Sequence, residues 1–234
     1  MAKLFLIPTT LANPIVGHAI LAHQLPLIKH LHFFIVETAK IGRQHLKHLN
    51  LTKPLQELSI NELNKHQQNL HELIQPLLSG NDVGLISDCG LPAVADPGST
   101  LVKIAHQHKI EVVPLIGPSS LMLALMGSGL NGQSFAFNGY IPINHDERIN
   151  KIKQLQLLVT QLGQSQIIIE APFRNQHLLE LLIATLQNNI IISLAINLMN
   201  NDQKIISQTV IEWKQQKQLP NLFKQEVVFV IGTF

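Results

Sequence analysis

Short apolar runs recur along the first half of the chain at 4–7, 33–36, 83–86 and 110–113. Each is too short for a buried helix and reads as a buried strand. Between them lie stretches with helical spacing. A helix is predicted from Pro14, which suits a first turn, to about Leu25, with Pro26 bending or restarting it. A basic helix is predicted over 39–49. A polar amphipathic helix follows over 61–78, capped by Ser59 or Asn61 and closed by Gly80. A further helix is predicted over 99–108. Strand and helix therefore alternate, which predicts a parallel sheet with helices against it.

After Pro114 the pattern changes. Helices are predicted at 118–127, 146–162 and 174–187. Strands are predicted at 135–137, 167–169, 190–196, 204–210 and 227–231, several without a helix between them. The expected fold class is thus α/β with two α/β domains. Residues 1–115 form a parallel sheet with flanking helices, and residues 116–234 form a mixed sheet.

Composition narrows this little. Hydrophobic residues make up 46% of 234, ample for a core, and the net charge is only +2. That balance argues against a dedicated nucleic-acid clamp, though not against transient docking on RNA. The single cysteine, Cys89, excludes an internal disulfide and fits a reduced, cytoplasmic setting. No apolar run approaches the length of a membrane span, and residues 1–8 lack the pattern of a signal peptide.

Several motifs carry no chemistry. Gly127-Ser128-Gly129-Leu130-Asn131-Gly132 matches G-x-G-x-x-G but follows a predicted helix, so its first glycine reads as a helix end, not a phosphate loop. His106 with His108, and His66 with His71, lack the spacing of helical ligand pairs, so no metal is expected. No serine-hydrolase elbow occurs.

Three loops are more informative. Ser87-Asp88-Cys89-Gly90-Leu91-Pro92-Ala93-Val94-Ala95-Asp96-Pro97-Gly98 leaves the carboxyl end of a predicted parallel strand, where α/β sheets hold their ligands. Gly90 lets a ligand approach the main chain. Pro114-Leu115-Ile116-Gly117-Pro118-Ser119-Ser120 leaves the next strand, and 8–14 leaves the first. Together they predict a pocket, not yet a reaction.

SDCGLPAVADPG, VVPLIGPSS, FNGYIP and IEAPFRN, in that order, resemble the tetrapyrrole-methylase superfamily. The resemblance is to the branch that methylates ribose 2′-hydroxyls of small-subunit ribosomal RNA, where SDAGTPLISDPG, GFLP and YEAPHR are typical. It implies S-adenosylmethionine bound in the cleft between two domains, and a homodimer. Carried over by motif, the cofactor-binding residues are Leu11, Cys89, Gly90, Leu91, Val94, Ser119, Ser120, Ile169 and Leu198. Asn13 and Glu37 are the candidate catalytic residues, Glu37 to orient or deprotonate an acceptor.

The chain also departs from that branch. Glu37-Thr38-Ala39-Lys40 replaces EDTR, Asn144 stands where a basic residue follows GFLP, and Ile196-Asn197-Leu198-Met199-Asn200 replaces RELTK. Arg148 alone keeps an expected charge there. Members of the branch often carry a further C-terminal segment. Three functions remain open: methylation of RNA, methylation of a small tetrapyrrole-like molecule, or cofactor binding without catalysis.

Overall fold

A computed structural model describes residues 2–11, 19–63 and 70–234, which form two compact units, Met1–Ser119 and Ser120–Phe234. The first unit holds β1 (Lys3–Ile7), α1 (Leu25–Ile28), β2 (Phe33–Val36), α2 (Ala39–Lys47), β3 (Ser59–Glu62), α3 (Leu70–Leu78), β4 (Val83–Ile86), α4 (Ser99–Gln107) and β5 (Glu111–Pro114). Its sheet has the order β3-β2-β4-β1-β5, and every pairing is parallel. All carboxyl ends therefore share one edge, and the loops after β1, β2, β4 and β5 meet there.

The strand pattern explains why both faces are covered. Leu4, Val83 and Leu85 pack with Leu73, Leu77 and Leu101 on one side. Phe5, Ile7, Phe34 and Ile86 pack with Ile28, Leu46 and Leu49 on the other. Successive side chains point to opposite faces, so a strand apolar on both faces needs helices on both. Gly84 leaves room for Ile7 and Phe34, whose atoms lie 2.7 and 2.8 Å from where a Cβ would stand.

The second unit holds α5 (Ser120–Ser128), β6 (Phe135–Tyr140), α6 (His145–Leu162), β7 (Ser165–Ile169), α7 (Asn175–Thr185), β8 (Ile191–Ile196), β9 (Lys204–Thr209), α8 (Val210–Gln215) and β10 (Val227–Gly232). Its sheet has the order β6-β7-β10-β8-β9. The β6–β7 pairing is parallel and the other three are antiparallel. One face packs α6, α7 and α8 over Ile168, Leu194 and Phe229. The other packs α5 over Ile167, Ala195 and Val230. Trp213, the only tryptophan, is buried here and donates its indole N–H to the Ile192 carbonyl at 3.1 Å.

Three expectations need correction. The helix expected over 61–78 is confined to Leu70–Leu78 among the described residues, and Ser59–Glu62 is a strand at the sheet edge. Ser59 and Asn61 are therefore strand residues, not caps. Short polar edge strands escape an apolar-run search because they bury little. The last residue of the strand expected over 204–210 instead opens α8, where Thr209 and Glu212 form a capping box. That spacing was present in the sequence. Gly127 lies inside α5, and Gly129, at φ +75°, follows its end. The helix expected from Pro14 starts outside the described residues, and Leu25–Ile28 is a separate short helix with Pro26 in its first turn.

Candidate functional site

At the carboxyl edge of the first sheet, the loops after β1, β4 and β5 converge. Thr9 donates its backbone N–H to the Gly90 carbonyl at 2.8 Å, and its hydroxyl and that of Ser87 approach the same oxygen at 3.4 and 3.5 Å. A Cβ on Gly90 would stand 3.2 Å from Leu11 Cδ2 and 3.6 Å from the Pro118 carbonyl. Gly117 packs flat on Pro8. An added Cβ there would fall 2.1 Å from the proline ring and 3.1 Å from the Ala19 carbonyl. Gly117→Ala is expected to lower stability by about 1–3 kcal/mol through overpacking, read as a lower melting temperature.

The loop over 87–98 is wound tightly. Gly90, Ala93, Ala95 and Gly98 all have positive φ, at 79°, 66°, 64° and 127°. The two alanines occupy a region that disfavours a Cβ by ~1–2 kcal/mol each. Such strain persists only where surrounding structure imposes it, and it concentrates at ligand sites.

Acidic groups cluster on this edge. Thr38 holds both oxygens of Asp88, donating its N–H at 3.0 Å and its hydroxyl at 2.6 Å. Glu37 accepts the Asp88 backbone N–H at 3.1 Å. The loops after β2 and β4 are thereby locked together. Asp96 is pushed up to about 7 by its burial and then by the charges of Glu37 and Asp88, against a hydrogen bond from Ser87. It thus exchanges its proton near neutral pH. His45 Nε2 lies 3.3 Å from the Asp88 carbonyl, which can only accept, so that nitrogen carries the proton. Burial lowers the His45 pKa despite that bond, which favours neutral imidazole. His45 borders a small hollow with Ile7, Thr9, Thr10, Ile20 and Leu49, in which the buried Thr10 hydroxyl has no hydrogen-bond partner among the described residues.

Of the residues expected in a site, Leu11, Glu37, Cys89, Gly90, Leu91 and Val94 all lie in loops on this edge. Gly90 is buried, Cys89 and Val94 are exposed, and the Cys89 thiol approaches the Leu11 carbonyl at 3.9 Å. Glu37 supports the Asp88 loop, whereas the first N–H of α2 goes to Glu62 at 2.8 Å. Ser119 ends the loop after β5, and Ser120 opens α5. Asn13 lies outside the described residues. In the second unit, Ile169 and the buried Leu198 share one apolar cluster under α5. Asn197 and Met199 flank Leu198 at φ 47° and 68°.

Apolar carry-over by motif misses Thr38, His45, Asp88 and Asp96. Asp88 and Asp96 stand in the loop that drew attention, but no spacing rule reveals that three carboxylates meet. Among the described residues, no group of three histidine, cysteine, aspartate or glutamate side chains could hold a metal ion. Among the described residues, no helix is long and apolar enough to cross a membrane.

The second unit explains the EAP segment. Glu170 is buried and binds two arginines. Its Oε2 accepts from Arg148 at 3.1 Å, and its Oε1 accepts from Arg174 at 2.9 and 2.6 Å and from the Ala171 N–H at 2.8 Å. Arg148, 3% exposed, also donates to the Pro142 carbonyl at 2.6 Å. The charge kept at Arg148 is therefore internal. It ties the turn after β6 to the end of β7.

No family model matches the chain. Curated relatives do. The ribosomal RNA small subunit methyltransferase I of Hydrogenobaculum is 29% identical over 230 residues, spanning 98% of this chain and 95% of that protein. That of Vibrio cholerae is 32% identical over 171 residues, 73% of this chain and 56% of that protein. Along nearly its whole length the chain is thus similar to a ribosomal RNA small subunit methyltransferase I. A third relative of the same description, from Buchnera aphidicola, is 26% identical over 99% of this chain and 79% of its own length. The chain spans about half the length of the Vibrio and Synechocystis relatives, 56% and 44%. The crystal structure of the methyltransferase CobJ shares the fold of this chain, with a TM-score of 0.64, 14% identity, and coverage of 99% of this chain and 94% of that one.

Proposed function

We propose that the protein transfers a methyl group from S-adenosylmethionine to a ribose 2′-hydroxyl of small-subunit ribosomal RNA, in the cytoplasm, as a homodimer. The observation that carries this reading is the strained 87–98 loop at the carboxyl edge of a parallel sheet, in a chain aligned along nearly its whole length with a ribosomal RNA small subunit methyltransferase. The single cysteine supports a reducing compartment.

The residues fit the cofactor. S-adenosylmethionine is a cation at its sulfur and its amino group, and Glu37, Asp88 and Asp96 give this edge a negative potential. Gly90 carries no side chain of its own between a ligand and its main chain, and the buried Thr10 hydroxyl has no hydrogen-bond partner among the described residues. Leu11, Cys89, Gly90, Leu91, Val94 and Ser119 of the first unit, and Ser120, Ile169 and Leu198 of the second, are the proposed partners. Bound there, the cofactor supplies an electrophilic methyl on a good leaving group. The protein's own task is then to align a hydroxyl and take its proton. Asp96 is the proposed proton acceptor, and Glu37 holds the Asp88 loop beside it.

Thermal unfolding with S-adenosylmethionine and S-adenosylhomocysteine tests the cofactor. At 100 times the dissociation constant, each should add ~2.7 kcal/mol of stability, a rise of roughly 5–10 °C. No shift with either would refute the reading. Labelled methyl transferred to small-subunit RNA without creating an alkali-resistant linkage would refute the ribose acceptor alone.

A further inference from the structure

The face of α2 turned to solvent is basic throughout. Lys40, Arg43, Gln44, Lys47 and His48 are exposed at the spacing of one helical stripe, while Gly42 and Leu46 are buried beneath. Among the described residues, none of Lys40, Arg43 or Lys47 forms an ion pair, although Lys3–Glu111 and His30–Asp82 pair elsewhere in the same unit. From Lys29 to Lys53, the cations Lys29, Lys40, Arg43, Lys47 and Lys53 stand against one acid, Glu37, whose carboxylate holds the Asp88 loop. A net charge of +2 for the chain conceals this local excess.

A solvated helix face normally interleaves acids at i+3 or i+4, and like charges at those spacings repel. Lys40, Arg43 and Lys47 occupy those spacings without relief. Polyanion binding would remove the repulsion. The stripe also has a direction. α2 begins directly after Glu37 and Thr38, so Lys40 stands one turn from the acidic cluster and Lys47 about 10 Å further along. Past Lys47 lies a surface groove of about 560 Å³, bordered by Lys47, Asn50 and Lys53 with Leu51 and Leu55 along its floor.

We propose that the outer face of α2, continued by Lys53 and its groove, holds the phosphate backbone of the RNA and leads it to the carboxyl edge of the first sheet. This rests on the RNA reading above. It supplies the basic surface that the lost charges at Asn144, Ile196 and Asn200 would otherwise leave missing.

The test is binding of a labelled single-stranded RNA oligonucleotide across ~50–200 mM salt by the wild type and by Lys40→Gln/Arg43→Gln/Lys47→Gln. Losing three phosphate contacts should make the slope of log K against log salt shallower by about 2, with at least ~tenfold weaker binding at low salt. Lys103→Gln/Lys109→Gln/Lys153→Gln removes the same charge from exposed lysines of α4, the turn after it, and α6, and should leave the slope near the wild-type value. The cofactor-induced thermal shift should survive in both variants, which shows that they fold. An unchanged slope in the α2 variant, or equal losses in both variants, overturns the proposal. Wild-type protein that shows the cofactor shift but binds no RNA overturns the RNA reading and this proposal together.

Discussion

Glu170→Ala is expected to lower the stability of the second unit by about 3–5 kcal/mol, because it leaves Arg148 buried without its counter-charge. The corresponding fall in melting temperature is roughly 6–20 °C. Trp213 sits in the same core, so its fluorescence follows this unit alone. The reason for the size of the effect lies in burial. Arg148 and Glu170 side chains are 3% and 0% exposed, so water cannot replace either partner. Arg174, 27% exposed on its side chain, can turn to solvent and suffers less. A double variant, Arg148→Met/Glu170→Leu, should therefore be more stable than Glu170→Ala, since it removes both buried charges. If Glu170→Ala melts with the wild type, the ion pair is not what ties β6 to β7.

Asp96→Asn is expected to reduce methyl transfer by roughly 10²–10⁴-fold at neutral pH, the range for losing a positioned base, while leaving the cofactor-induced thermal shift in place. Wild-type rate should rise with pH and level off above about 7, where Asp96 is ionised, and the residual rate of the variant should lack that rise. Stability supplies an independent check with a definite sign. The folded protein keeps the Asp96 proton to about pH 7, whereas a free aspartate gives it up near 3.8. Between these limits the folded state binds more protons than the unfolded chain, so this group's contribution to stability falls as pH rises. The asparagine variant has no such fall, so its melting temperature should gain on the wild type from pH 4 to 8. A constant difference across that range would mean that Asp96 titrates normally.

Much of the fold was legible because parallel strands covered on both faces are apolar throughout. The runs at 4–7, 33–36 and 83–86 announce β1, β2 and β4 for that reason. β3 was not legible, since Ser59, Asn61 and Glu62 gain their strand only by pairing with Phe33–Val36. The 87–98 loop could be found through its glycines and prolines. Its alanines gave no sign that two of them would adopt left-handed backbone.

By itself, the sequence determined the class of fold and the loops that matter, because periodicity and local turn chemistry act between near neighbours in the chain. Only the tertiary structure decided which charges serve and which are internal. Asp88 and Asp96 meet Glu37 through strand order, across about fifty residues or more of chain. Arg148 is spent on Glu170, while Lys40, Arg43 and Lys47 stay unpaired on one face of α2. Electrostatic energy depends on distance in space and on exposure to water, and neither is written in the order of residues.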